Sequence, residues 1–246
     1  MNNKQHFIES GYRIFKSIVH VDELDKIQQI YDDFLNNKFD LTGKRRDLSG
    51  NKTANKKVEK ITQILSPSLV VLELTATKTY KKVLKIAKEL LGDDMEMEID
   101  MLINKAPETK TETHWHQDAA YWPEASDNRA LSFWIALDDV DIENGCMRYV
   151  HGSHFNGLRK HIQHKAASEL QCEVNEEEPI VTGEIKAGMA IVHDGFTVHG
   201  AFGNNSKSRN RRALIINLRP KAMISYIKDL GFEDLGKKEL KKGKKL

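Results

Sequence analysis

The chain has 246 residues, with 38 Lys and Arg against 36 Asp and Glu, for a formal net charge of +2. The last ten residues carry six lysines and one glutamate, so the rest of the chain holds 32 basic and 35 acidic residues, about −3. A basic surface for nucleic acid is therefore not expected over the body of the protein. The length suits one large domain able to bury roughly 70–75% of its unfolded surface without disulfide staples. Cys146 and Cys172 have no paired spacing, which excludes a disulfide framework and a thiolate zinc cluster and leaves each as a small buried hydrophobe. The segment Met1 to Ser10 is polar and no apolar run approaches the roughly 18 residues of a membrane span, so a soluble cytoplasmic protein is expected.

In chain order, Tyr12 to Ile18 alternates weakly, as a short strand would. Asp22 then stands where it can cap a helix carrying Leu24, Ile27, Tyr31, Phe34 and Leu35 at helical spacing. The stretch from Gly43 to Lys60 holds seven basic and two acidic residues and almost nothing apolar. It reads as a solvated loop or, alternatively, as a lid that meets an anionic substrate. Thr79 to Leu91 predicts a second helix, with Val83, Leu84, Ala87, Leu90 and Leu91 on one face and Gly92 as its stop.

From Met95 the apolar period changes from 3.6 to 2, through Met97, Ile99, Met101 and Ile103. Further strands are expected at His114–Trp122, Ala130–Leu137, Cys146–His151, Ala190–Val192, Thr197–Phe202 and Ala213–Leu218. Turn signals at Asn144-Gly145, Gly152-Ser153, Asn156-Gly157, Gly188 and Asn204-Asn205 separate them. Helices followed by many short strands suggest a β-sandwich or barrel with a helical flank. The Lys-rich C-terminal end is expected to be disordered.

Ten histidines invite a search for a metal site. On a strand, residues i and i+2 share a face, so His-x-Asp sets an imidazole beside a carboxylate. The pattern occurs at His20-Val21-Asp22, where the aspartate is better explained as a helix cap, and at His116-Gln117-Asp118, within the β-rich half. His199, on another predicted strand, is the best third ligand. Two imidazoles and one carboxylate leave positions open on a ferrous ion for other ligands. Arg211, twelve residues on, offers a planar fork for a carboxylate.

Together, His116-Gln117-Asp118, Asn144-Gly145-Cys146-Met147, Gly152-Ser153-His154, His199-Gly200 and Arg211-Arg212-Ala213 resemble the phytanoyl-CoA dioxygenase family. The resemblance runs from about Gly11 to Leu218 and is dense also at Met101-Leu102-Ile103-Asn104-Lys105. It implies a mainly β (α+β) protein, a double-stranded β-helix (jelly roll, cupin-like) with flanking N-terminal helices. It further implies an Fe(II)- and 2-oxoglutarate-dependent dioxygenase that uses O2, hydroxylates a small molecule and releases succinate and CO2. His116, Asp118 and His199 would be the iron ligands, and retention of Asp118 favours hydroxylation over halogenation. Arg211 would hold the distal carboxylate of 2-oxoglutarate, and Met101 and Trp134 would line that pocket. The spacing from His199 to Arg211 is one residue longer than usual, so Arg212 and Arg209 remain alternatives. Ala201 stands where relatives often place a hydroxyl.

One oxygenase domain is then expected over 1–220, with a helical flank at about 20–92 and a jelly-roll core at about 95–220, followed by a C-terminal segment at 221–246. The partner is a small-molecule substrate, anionic and acyl-CoA-like compounds included, rather than nucleic acid or membrane. Two other classes share the pattern: a jelly-roll hydrolase or isomerase holding zinc or manganese, and a binding protein without turnover. The stretch with His151, His154, His161 and His164 lacks a suitably spaced carboxylate, and the adjacent His193 and Asp194 face opposite ways on a strand. His114, on the face of His116, is a candidate substrate contact, and Trp115 and Trp122 read as packing residues. No Gly-rich phosphate loop or nucleophile elbow is present.

Overall fold

A computed structural model describes residues 2–49, 59–123, 125–163 and 170–231. The chain opens with α1 (Asn3–Ser10), β1 (Tyr12–Phe15) and α2 (Val21–Leu35), followed by an antiparallel pair, β2 (Arg45–Asp47) and β3 (Ile61–Leu65). Two more helices, α3 (Glu73–Ala76) and α4 (Lys78–Leu91), precede the long strand β4 (Met95–Lys105). The remaining strands are β5 (Thr113–His116), β6 (Leu131–Ala136), β7 (Met147–Val150), β8 (Ile162–Gln163), β9 (Leu170–Gln171), β10 (Ile180–Gly183), β11 (Ala190–Asp194), β12 (His199–Ala201) and β13 (Arg211–Pro220), and α5 (Lys221–Asp229) follows.

A seven-stranded sheet has the order β1-β11-β6-β13-β4-β3-β2, and a four-stranded sheet the order β10-β7-β12-β5. This is the expected jelly roll, with the two sheets facing one another. Alternation along the central strands divides the large sheet's two faces. Phe133, Ile135, Leu214 and Ile216 pack with Ile27, Tyr31 and Phe34 of α2 and with Tyr80, Val83, Ala87 and Leu90 of α4. Trp134, Ala136, Ala213 and Ile215 point the other way and meet Met147 and Tyr149 of β7 and Ala201 of β12. Helices thus seal one face, and the second face lines an interior shared with the small sheet.

Helix α4 starts where Thr77 accepts a hydrogen bond from the Tyr80 amide, and it ends at Gly92. Helix α2 differs from expectation at its start. His20 is the N-cap residue, without a side-chain cap bond, and Asp22 lies in the first turn, 3.1 Å from His20 Nδ1. There its carboxylate still complements the helix dipole. Strand β3 is buried at all five positions, so it shows no alternation by which a sequence reading could find it.

Cys146 and Cys172 are buried and unpaired, and burial raises both thiol pKa values, that of Cys146 to about 11. Among the described residues, no helix is long and apolar enough to cross a membrane.

Candidate metal centre

Strands β5 and β12 are neighbours in the small sheet, and their register sets His116 opposite His199. Side chains directly opposite leave the same face, and the two ring centroids are 4.2 Å apart. The strand predicted to continue to Trp122 stops at His116. Gln117 nevertheless stays extended (φ −120°, ψ 134°), so Asp118 returns to the face of His116 before a 3-10 turn takes over at Asp118–Tyr121. Asp118 Oδ1 is 3.8 Å from His116 Nε2 and 3.7 Å from His199 Nε2. One donor atom from each of the three residues falls within 4.8 Å of the others, so the trio could hold a metal ion.

Gln117 pins this corner from the far side. Its side-chain amide donates to the carbonyls of Gly157 (2.8 Å) and Phe196 (2.6 Å), and its Oε1 accepts from the Arg159 amide (2.7 Å). The Gln117 amide donates to His161 Nε2 at 3.1 Å.

The protonation pattern suits a cation. His116 Nδ1 lies 2.7 Å from the His114 carbonyl and His199 Nδ1 lies 2.9 Å from the Thr197 carbonyl. A carbonyl only accepts, so each Nδ1 carries the proton and each Nε2 presents a lone pair to the centre. Burial lowers both imidazole pKa values, that of His199 strongly, which keeps the rings neutral. For Asp118, burial pushes the carboxyl up, but the facing imidazoles and the hydrogen bond from His193 outweigh it, and the net shift is downward. Two neutral nitrogens and one carboxylate are the deprotonated donors that a divalent metal requires.

Arg211 begins β13 on the interior face and is 2% exposed. It has no hydrogen bond or carboxylate partner among the described residues, and its Nε is enclosed without any acceptor. Its guanidinium carbon lies 5.2 Å from the Trp134 ring centroid. Burial lowers its pKa to about 10, so it is a cation at neutral pH. A buried charge without a counter-charge is unfavourable, and an incoming carboxylate would complete it. Ile215 pairs with both Met101 and Trp134, placing those two side chains on the same interior face. The alternative arginines are already engaged. Arg212 faces the helices and pairs with Asp138 and Asp32, and Arg209 pairs with Asp141 and Glu143.

A model of the phytanoyl-CoA dioxygenase family matches residues 7–213. The chain belongs to that family. It is 25% identical to the bovine peroxisomal phytanoyl-CoA dioxygenase over 65% of this chain, and it spans only about half (49%) of that longer protein. It is 22% identical to a probable alpha-ketoglutarate-dependent hypophosphite dioxygenase of Stutzerimonas stutzeri, over 86% of this chain and 76% of the relative. The solved structure of EvdO2 from Micromonospora carbonacea var. aurantiaca, complexed with 2-oxoglutarate, superposes with a TM-score of 0.73 at 26% identity, covering 88% of this chain and 89% of EvdO2.

In this phytanoyl-CoA dioxygenase family member, one residue beside the centre escapes a sequence reading. His193 is buried, with Nε2 3.3 Å from Asp118 Oδ2 and its ring centroid 4.2 Å from that of His199. Asking whether His193 chelates with its neighbour Asp194 finds nothing, because its true partner is 75 positions away.

The histidine-rich stretch serves structure. His161 holds the Gln117 backbone, His154 Nε2 meets the Ile8 carbonyl at 2.9 Å, and His164 lies outside the described residues. Trp115 and Trp122 lie under arginines, Arg148 at 4.4 Å and Arg219 at 3.4 Å.

The basic loop divides. Arg45 bonds the α2 carbonyls of Phe34 and Leu35 and pairs with Glu59, so it closes a helix end. Arg46 is bonded through Nε to Gln63, whose amide reaches Met101 Sδ at 3.2 Å. Residues 50–58 of that loop lie outside the described residues.

Proposed function

We propose that this chain is an iron(II)- and 2-oxoglutarate-dependent dioxygenase that hydroxylates a small-molecule substrate and releases succinate and CO2. The observation that carries the reading is a pairing within one interior: a His116–Asp118–His199 donor set and, on the facing sheet, a buried cation at Arg211 with no hydrogen bond or ion pair among the described residues. A hydrolase or isomerase that works without 2-oxoglutarate has no use for Arg211, whereas the SnoN epimerase, similar in fold, is itself alpha-ketoglutarate-dependent. A co-substrate with a keto acid at one end and a carboxylate at the other uses both features. The bound 2-oxoglutarate of EvdO2 supports the same co-substrate here.

Iron(II) and 2-oxoglutarate supply the oxidation, in which O2 delivers one oxygen atom to the substrate C–H bond and one to succinate as CO2 leaves. The chain's own part is geometric. His116 and His199 present fixed Nε2 lone pairs, and Asp118 contributes the negative charge that offsets part of the metal's. Arg211, with Trp134 and Met101 beside it, takes the distal carboxylate and sets the length of the co-substrate that fits.

The names of the relatives span an acyl-CoA and hypophosphite, so a small-molecule substrate is the common statement, and Arg46 and Lys44 are the cations that would meet an anionic one. The direct test adds iron(II) and 2-oxoglutarate to the anaerobic protein and looks for a weak visible charge-transfer band. Candidate metabolites are then screened for stimulated succinate release. Absence of the band, with succinate no higher than in a His116→Ala control, refutes the oxygenase reading.

A further inference from the structure

Asp118 has two carboxylate oxygens, and they have different surroundings. Oδ1 faces the Nε2 atoms of His116 and His199. Oδ2 accepts a hydrogen bond from Ser132 Oγ at 2.6 Å and lies 3.3 Å from His193 Nε2. Ser132 on β6 and His193 on β11 are direct cross-strand partners, so both project from the same point on the large sheet toward the carboxylate. Both are nearly fully buried, 2% and 3% exposed.

The three histidines near the centre differ in tautomer. His116 and His199 have Nδ1 tied to a backbone carbonyl, which leaves Nε2 free to bind a cation. His193 Nδ1 is enclosed and has no partner among the described residues, while its Nε2 faces an oxygen that can only accept. The proton of His193 therefore belongs on Nε2, making the ring a donor to Asp118 rather than a ligand.

We propose that Ser132 and His193 form a two-pronged clamp on Oδ2 of Asp118, so that the carboxylate meets the metal through Oδ1 alone. The inference rests on the metal-centre reading above and adds two positioning residues to it. A carboxylate bound through both oxygens would occupy a further position on the ion. Held through one oxygen, it leaves that position for the co-substrate or O2. The clamp thus acts on the number of open positions as well as on affinity, in the manner of outer partners that orient metal ligands.

Cobalt(II), which needs neither O2 nor 2-oxoglutarate, is the probe. Metal-free wild type, Ser132→Ala, His193→Ala and His193→Gln are titrated calorimetrically, with thermal unfolding recorded for each. The carboxylate stretching bands of the cobalt-loaded proteins report one-oxygen or two-oxygen binding. Ser132→Ala and His193→Ala should each weaken cobalt binding roughly 10- to 100-fold and shift the carboxylate bands toward two-oxygen binding. His193→Gln, whose amide N–H replaces the Nε2–H, should restore most of both.

Wild-type affinity and bands in both alanine variants overturn the clamp while leaving the metal centre standing. So does a His193→Gln protein as impaired as His193→Ala, or loss of one imidazole from the cobalt spectrum, which would make His193 a ligand. Ser132→Ala, the smaller change, decides the matter should the His193 variants fail to fold. Wild type that takes up no cobalt sinks the metal-centre reading, and the clamp with it.

Discussion

Replacing Arg211 by methionine should move stability and co-substrate affinity in opposite directions. The guanidinium is 2% exposed and has no hydrogen bond or ion pair among the described residues. In the protein without co-substrate it is a desolvated charge offset only by the Trp134 ring at 5.2 Å among the described residues, and methionine fills a similar volume without a charge. Substituting apolar groups for buried charges is stabilising by about 1–4 kcal/mol in favourable cases. For a domain of this size each kcal/mol raises the melting temperature by about 2–4 °C. Binding should respond the other way. Removing one partner of a buried, hydrogen-bonded charge pair costs about 2–5 kcal/mol, which weakens 2-oxoglutarate roughly 30- to several-thousand-fold. Differential scanning fluorimetry with and without 2-oxoglutarate, in the presence of manganese(II), reads both quantities. Wild type should gain melting temperature as co-substrate is added. Arg211→Met should start higher and gain little. A variant that melts lower than wild type and still responds fully to 2-oxoglutarate would refute the assignment of Arg211 as the carboxylate partner.

Other outcomes follow from the same structure. Arg212→Ala breaks the pair with Asp32 that ties β13 to α2 and the pair with Asp138 just beyond β6, so it should lower stability by about 1–3 kcal/mol in a denaturant titration and leave 2-oxoglutarate affinity unchanged. Arg45→Ala removes the cap on the α2 C-terminus, and about 1 kcal/mol of stability should go with it. Substrate-stimulated succinate release should keep its salt dependence in that variant, whereas Arg46→Ala should weaken that dependence if the substrate is anionic.

Asp47 accepts backbone hydrogen bonds from Ser49 and Ile61. Burial raises its pKa, but these bonds and that of Lys60 outweigh it, and the net shift is below the ordinary 3.8. A depressed carboxyl stabilises the fold above its unfolded value and loses that contribution as pH falls through the folded one. Asp47→Asn should therefore be less stable than wild type at pH 7, by about 1 kcal/mol given its partial exposure. The gap should narrow as pH falls below the ordinary carboxylate pKa toward the depressed folded value, as melting curves at pH 7 and pH 3 can verify.

The grouping of His116, Asp118 and His199 is legible in the sequence because each position depends on a local rule. Extended backbone at Gln117 keeps His116 and Asp118 on one face even though the strand has already ended. The same rule separates Arg211 from Arg212, but it does not say which of them points inward. That is decided by the pairing of β13 with β4 and β6 and by two aspartates waiting on the helix side. Strand β3 left no periodic trace because both its faces are covered. Asp22 reads as a cap from its residue type, whereas the cap is His20, two residues earlier, and the helix begins at Val21. The Ser132–His193 pair was out of reach for a different reason: it is created by register between strands some sixty residues apart, and nothing in either segment alone announces it.

His116 and His199, the two candidate nitrogen donors, have their tautomers set by the main-chain carbonyls of His114 and Thr197, atoms that every amino acid supplies. The side chains at those two positions take no direct part in setting either tautomer, although Thr197 is itself buried with its hydroxyl on the Gly11 carbonyl. The carboxylate has no such insulation, because the orientation of Asp118 is held by a serine hydroxyl and a histidine ring that single base changes can remove. A change at Ser132 or His193 therefore acts on the carboxylate directly, whereas the Nδ1 acceptors of His116 and His199 belong to the main chain.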